Sequence, residues 1–132
     1  MINCILPERG IDDFGSGAFG ASRGSRTHRG IDWACYPDTI IESRTSGRVT
    51  KLGYPYANED FRYVEITDEN LARHRYFYVN PMVKQGDLIE QDEVIGYAQD
   101  IAGKYNTAEK RMTNHIHYEI LVNNEPVDPE EF

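Results

Sequence analysis

Residues 115–120, His-Ile-His-Tyr-Glu-Ile, decide the fold of this chain because polar and apolar side chains alternate along them. In an extended strand, alternate side chains point to the same face. His115, His117 and Glu119 therefore form a polar row, and the residues between them form an apolar row suited to a core. We expect one strand, residues 115–122, that is anchored on one face and offers polar chemistry on the other.

Other segments have the alternation and residue types of strands, and turn-forming pairs such as Ser46-Gly47 and Asn80-Pro81 separate them. These predicted strands are 39–43, 47–52, 61–66, 73–79 and 94–97. Residues 99–112 have apolar residues at roughly helical spacing and are predicted to form a short helix or an ordered loop. The first 27 residues are rich in glycine and serine and are predicted to be irregular. The predicted fold is mainly β, a compact antiparallel sheet or barrel-sandwich with long loops and at most one short helix.

The bulk properties indicate one domain spanning residues 1–132, in which 1–13 form an N-terminal extension. The net charge of −8 disfavours nucleic acid and anionic membranes as partners. No apolar run approaches the roughly 20 residues that span a bilayer, so membrane insertion is not expected. The N-terminus has no secretory signal pattern, and a monomer is expected. Cys4 and Cys35 are too few for a disulfide scaffold, and their pairing is left open.

A second polar cluster precedes the strand by almost ninety residues. Residues 28–32 read His-Arg-Gly-Ile-Asp, in which Gly30 permits a tight turn before Asp32 enters an apolar segment. His28, Asp32 and a distant histidine together supply nitrogen, oxygen and nitrogen donors, a set that Zn²⁺ accepts while leaving one position open. On its own, the His-x-His strand fits two surface or packing histidines equally well.

These motifs together resemble the lysostaphin and LytM-type zinc endopeptidases. The resemblance covers the chain from Phe14 onward in the expected order, and it includes residues 19–23, 47–49, 83–87, 94–96 and 127–129. It implies the lysostaphin-type peptidase fold, with Zn²⁺ held by His28, Asp32 and His117. It also implies that His115 handles the proton of the attacking water during peptide hydrolysis.

One position departs from that family. Its active members usually have a histidine in a Tyr-x-His pattern that binds the developing oxyanion, and here residues 76–78 read Tyr-Phe-Tyr. Tyr78 therefore stands where the histidine is expected, and a phenol can still donate one hydrogen bond to an oxyanion. His74 lies four residues before Tyr78 and is predicted to share a strand face with Tyr76 and Tyr78. It is expected to be a rim or surface residue.

The leading functional hypothesis is a zinc endopeptidase that cuts peptide cross-links of peptidoglycan, such as D-alanyl-to-diaminopimelate bonds. Without a signal pattern, we expect a chain made in the cytoplasm that reaches the cell wall as a phage lysis enzyme or a tail-associated enzyme. The alternative is a zinc-bound recognition module without catalysis, because the Tyr78 variant also resembles leukocyte cell-derived chemotaxin. A sugar-transport phosphocarrier-like domain is a third reading, which explains the strand histidines but not His28 and Asp32.

Overall fold

A computed structural model describes residues 9–12, 15–23, 26–57, 59–107 and 111–132. The strands are β1 Ile11–Asp12, β2 Gly15–Ser16, β3 Ser22–Arg23, β4 Arg26–Thr27, β5 Ile31–Ala34, β6 Ile40–Glu42, β7 Gly47–Gly53, β8 Tyr63–Thr67, β9 Arg73–Phe77, β10 Val79–Pro81, β11 Leu88–Ile89, β12 Val94–Ala98, β13 His115–Val122 and β14 Glu125–Val127. Helix α1, Ile101–Tyr105, lies between β12 and β13. Within these described ranges, the predicted mainly β fold with at most one short helix is confirmed.

The largest sheet has seven strands, all paired antiparallel. Its order is β11-β7-β8-β9-β13-β14, and β5 also pairs with β13. Strand β13 therefore has β9 along one edge, while β5 and β14 share its other edge. A second sheet of three strands has the order β10-β12-β6. The eight-residue β13 thus pairs directly with β5, and each of these two strands was predicted to supply a metal ligand.

One face of the large sheet packs into the core, as the alternation in β13 predicted. Ile116, Tyr118 and Ile120 are fully buried, and the Trp33 ring stacks on Tyr118 with ring centroids 4.8 Å apart. Side chains from the neighbouring strands complete this core, among them Val49, Val64, Ile66, Tyr76, Val79 and Ile95. Burial of each large apolar side chain stabilises the fold by about 1.5–3 kcal/mol, so β13 is held firmly on the face opposite its histidines.

The expectation for His74 was wrong, because this side chain is only 3% exposed. Its Nδ1 lies 2.6 Å from the Tyr118 hydroxyl and its Nε2 lies 2.9 Å from Asp68 Oδ2. Both ring nitrogens thus have polar partners, and this allows the imidazole to lie in the core. Strand alternation correctly grouped His74 with Tyr76, but that face is the core face rather than the rim.

The predicted strand 73–79 is interrupted at Tyr78, which has φ = 69°. This left-handed conformation is unusual for a bulky residue and breaks the alternation of side chains. Phe77 and Tyr78 consequently both lie on the cleft side, while Val79 is fully buried in the core. The prediction that Tyr78 shares a face with His74 and Tyr76 was therefore wrong.

The N-terminal part is less irregular than predicted, since two short hairpins pair β1 with β2 and β3 with β4. Cys4, Phe14 and most of the predicted extension 1–13 lie outside the described residues, as does part of the predicted helical segment, 108–110. Cys35 is partly buried against the core. Within the described ranges, no helix is both long enough and apolar enough to cross a membrane.

Candidate metal centre and cleft

The pairing of β5 with β13 places Asp32 directly opposite His117. Opposed residues in an antiparallel pair point to the same face, with Cβ atoms about 4.5–5.5 Å apart. Asp32 Oδ1 and His117 Nδ1 lie 2.9 Å apart. The sheet register thus brings together two side chains that are 85 residues apart in sequence.

His28 reaches the same place from the loop that precedes β5. Gly30, between His28 and Asp32, passes so close to β13 that a Cβ there would lie 2.2 Å from the Tyr118 carbonyl oxygen. Only glycine fits this approach, which lets the loop fold back over the sheet face. His28 Nε2 then lies 2.9 Å from His117 Nδ1 and 3.1 Å from Asp32 Oδ1.

In His28 and His117, the ring nitrogen that points away from Asp32 has a hydrogen-bond acceptor of its own. His28 Nδ1 lies 3.0 Å from the Ala18 carbonyl oxygen, and His117 Nε2 lies 2.9 Å from Glu119 Oε1. Each of these acceptors requires a proton on the nitrogen that faces it. In a neutral ring, the other nitrogen, His28 Nε2 or His117 Nδ1, is then left with a lone pair. With both imidazoles neutral, two lone pairs and a carboxylate oxygen converge, and a bound proton or metal ion would relieve their repulsion. The ligand atoms all lie within 4.8 Å of one another, as a metal site demands.

Electrostatics favour a positive species at this point. Burial alone would raise the pKa of the Asp32 carboxyl, but hydrogen bonds with His117 and His28 lower it well below its ordinary value. Burial alone would lower the pKa of His117, yet hydrogen bonds with Asp32 and Glu119 raise it. The group as a whole attracts either a proton or a metal ion, and two imidazoles with a carboxylate are a donor set that suits zinc.

His115 lies beside this cluster and is buried, with 4% of its surface exposed. Its Nδ1 donates to the Thr113 carbonyl oxygen at 2.8 Å, so Nε2 has the lone pair. Nε2 lies 3.6 Å from Asp32 Oδ2. Burial lowers the pKa of His115, although the Asp32 charge opposes this shift. His115 is consequently neutral near pH 7 and able to accept a proton.

Tyr78 lies against His115, with ring centroids 5.7 Å apart and the planes nearly perpendicular. Its hydroxyl is 2.8 Å from the Tyr56 hydroxyl. Burial, and then the nearby Tyr56, raises the pKa of Tyr78 far above its ordinary value. The phenol therefore keeps its proton and remains a hydrogen-bond donor.

All five residues predicted from the sequence line one cleft of about 570 Å³. Several other residues that line the cleft were not predicted from the sequence, namely Arg9, Tyr56, Arg75, Phe77, Tyr105 and Met112. Phe77 could have been found, since a strand neighbour of His117 must share its face. Arg9 and Tyr56 come from loops whose course no local pattern indicates.

Comparison with known proteins agrees with this geometry. The model of peptidase family M23 matches residues 26–129. The chain is 32% identical over 104 residues to the peptidoglycan DD-endopeptidase ShyB of Vibrio cholerae serotype O1, covering 76% of this chain. That match spans only 22% of the length of the relative.

Two solved structures show the same fold. The catalytic domain of lysostaphin from Staphylococcus simulans has a TM-score of 0.69 and 20% identity, with 89% of each chain covered. The catalytic domain of the prophage-encoded M23 protein EnpA from Enterococcus faecalis also has a TM-score of 0.69, at 17% identity, covering 98% of this chain and 93% of that one. The matched family model spans His28, Asp32, Tyr78, His115 and His117, and it shows that the chain belongs to peptidase family M23.

Proposed function

We propose that this protein is a zinc-dependent endopeptidase that hydrolyses peptide cross-links of bacterial peptidoglycan. The observation that carries the proposal is the convergence of His28 Nε2, His117 Nδ1 and Asp32 Oδ1 beside a neutral His115. Membership of peptidase family M23 supports the reaction class. Similarity to a protein named as a peptidoglycan DD-endopeptidase supports the substrate class.

His28, Asp32 and His117 would hold the metal ion. A zinc ion at this position supplies Lewis-acid activation of water and of the scissile carbonyl group. Glu119 accepts a hydrogen bond from His117 Nε2, which fixes the tautomer and the direction of the ring. The Ala18 carbonyl has the same effect on His28.

His115 is suited to general acid–base catalysis. Its Nε2 accepts a proton as water attacks the carbonyl carbon, and it returns that proton to the amine nitrogen as the C–N bond breaks. The net reaction adds one water molecule across the peptide bond. The hydrogen bond from Nδ1 to the Thr113 carbonyl keeps the ring oriented for both transfers.

Tyr78 takes the place of the histidine expected from the family resemblance. We propose that its hydroxyl donates a hydrogen bond to the oxyanion that develops on the attacked carbonyl group. Tyr56 supports this role if its own hydroxyl donates to Tyr78, since the Tyr78 proton is then available to the substrate. The left-handed backbone at Tyr78 stores about 1–3 kcal/mol of strain, and such strain is common where a side chain is positioned for function.

We propose that the bond cleaved is the D-alanyl-to-diaminopimelate cross-link. We also propose that the protein acts as a monomer at the cell wall. A role in phage lysis or on a phage tail remains a prediction. Expression in a Gram-negative host, with and without a phage holin, tests it. Lysis only when the holin is present supports the lysis role, and lysis from outside by added protein supports the tail role.

The test of the reaction is digestion of purified diaminopimelate-type peptidoglycan by zinc-loaded protein, followed by mass spectrometry of the products. Metal-free protein and His115→Ala are the controls. We expect wild type alone to remove cross-linked dimers, while His115→Ala retains zinc. The absence of cleavage by a folded protein with one bound zinc, across several cross-bridge types, would contradict the proposal in favour of a recognition module.

A further inference from the structure

The Asp32 carboxylate divides its two oxygens between different neighbours. Oδ1 lies near His28 and His117, whereas Oδ2 accepts a hydrogen bond from Arg9 Nη1 at 2.8 Å. Both side chains of this ion pair are 3% exposed. The terminal torsion of an aspartate is soft, so an unrestrained carboxylate can turn either oxygen toward the imidazoles. The Arg9 guanidinium opposes this rotation.

The backbone around Arg9 is fitted closely to the same residue. Arg9 N–H donates to the Asp32 carbonyl oxygen at 2.8 Å, and Asp32 N–H donates to the Gly17 carbonyl oxygen at 2.8 Å. A Cβ at position 17 would lie 2.8 Å from Arg9 Cβ and 3.1 Å from Asp32 Cβ. The backbone at Arg9 and Gly17 therefore holds Asp32 from the edge of β5 that does not pair with β13.

Asp12 completes the arrangement. Its Oδ2 and Oδ1 accept hydrogen bonds from Arg9 Nε at 2.8 Å and Nη2 at 2.6 Å. This two-pronged pairing offsets the positive charge of Arg9 and fixes the plane of the guanidinium. Asp12 Oδ2 also accepts from Thr113 N–H at 2.8 Å, and the Thr113 carbonyl in turn accepts from His115 Nδ1. A continuous chain of hydrogen bonds thus joins Asp32 to His115.

We propose that Arg9 and Asp12 form a charge-compensated positioning pair that fixes the Asp32 carboxylate for the metal and ties it to the His115 segment. This inference rests on the proposed zinc centre. Both residues act through others, since neither offers a ligand atom to the cluster of His28, Asp32 and His117. The pair extends the centre to a part of the chain that precedes residue 26, where the family match begins.

The test compares wild type with the double variant Arg9→Met, Asp12→Asn, which removes the pair without changing the net charge near the metal. Zinc affinity is measured by competition with a fluorescent chelator, and the visible spectrum of the Co²⁺-loaded protein reports the ligand arrangement. We expect zinc affinity to fall about 10–100-fold, as on loss of other residues that orient metal ligands, and the cobalt spectrum to change. Arg9→Lys keeps the charge but cannot bind both aspartates in this way. Its zinc affinity should lie between those of wild type and the double variant.

Arg44→Met is the matched control, because Arg44 packs over Trp33 and Tyr118 on the core face, with its Cζ 4.5 Å from the Trp33 ring centroid. We expect this variant to lower thermal stability while zinc affinity and the cobalt spectrum stay unchanged. A double variant at Arg9 and Asp12 that loses stability but keeps wild-type affinity and spectrum would overturn the inference. If that variant does not fold, Arg9→Lys decides by the same two readouts. Failure of wild type itself to bind zinc would instead contradict the proposed function.

Discussion

Replacement of Tyr78 by phenylalanine tests whether the Tyr78 hydroxyl acts in catalysis or only in structure. The hydroxyl makes one described hydrogen bond, to Tyr56, at the partly exposed mouth of the cleft. Loss of such a bond lowers the free energy of unfolding by about 0.5–1.5 kcal/mol. Loss of a preorganised oxyanion donor raises the activation barrier by about 2.7–4 kcal/mol, which lowers kcat about 10²–10³-fold. We therefore expect Tyr78→Phe to fold, to bind zinc as wild type does, and to lose nearly all turnover.

The assay is initial-rate cleavage of a cross-linked muropeptide dimer, with zinc content and thermal unfolding measured on the same samples. Tyr56→Phe is the matched control, because it removes the same hydrogen bond but leaves the Tyr78 hydroxyl in place. We expect its kcat to fall less than about tenfold, since only the orientation of the Tyr78 proton is lost. Equal losses in both variants, or full turnover in Tyr78→Phe, would refute the role of Tyr78 as an oxyanion donor.

Three further outcomes follow from the same contacts. Tyr118→Phe leaves the buried His74 Nδ1 without its partner at 2.6 Å and should lower the free energy of unfolding in urea by about 1–3 kcal/mol. Burial lowers the pKa of His74 despite the Asp68 carboxylate, so the unfolded chain binds more protons near pH 6. Stability should consequently fall as the pH drops through about 6.5, and His74→Gln should flatten that slope in denaturant titrations. Gly30→Ala places a Cβ 2.2 Å from a backbone oxygen of β13 and should cost about 1–3 kcal/mol or more by calorimetry, with weaker zinc binding than wild type.

Much of the fold follows from local patterns in the sequence. The alternation in residues 115–122 predicted both the strand β13 and its buried face, because one face of the sheet must pack against a core. Residues 99–112 were predicted to form a short helix or an ordered loop, and α1 lies within that segment. The two-residue strands near the N-terminus were missed, since glycine-rich and serine-rich segments have no periodic apolar pattern.

The candidate site was predicted less completely than the fold. His28, Asp32 and His117 were selected by residue type and by the family resemblance, and the structure brings their ligand atoms together. The contacts of Arg9 and Tyr56 depend on how loops cross the sheet face, which spacing in the sequence does not reveal. The prediction for Tyr78 failed in orientation because a single left-handed residue reverses strand alternation. His74 was misplaced because Asp68 and Tyr118 were not recognised as hydrogen-bonding partners for its ring.

The most direct test of the central claim uses one defined substrate, a purified muropeptide dimer cross-linked through D-alanine and diaminopimelate. Zinc-loaded wild type is incubated with it beside His115→Ala, and the products are identified by mass spectrometry. The account predicts two monomers from wild type, whose summed mass exceeds the dimer by one water molecule, and intact dimer from His115→Ala. Intact dimer with folded, zinc-bound wild type would contradict cleavage of this bond, and equal cleavage by the two proteins would contradict the role of His115.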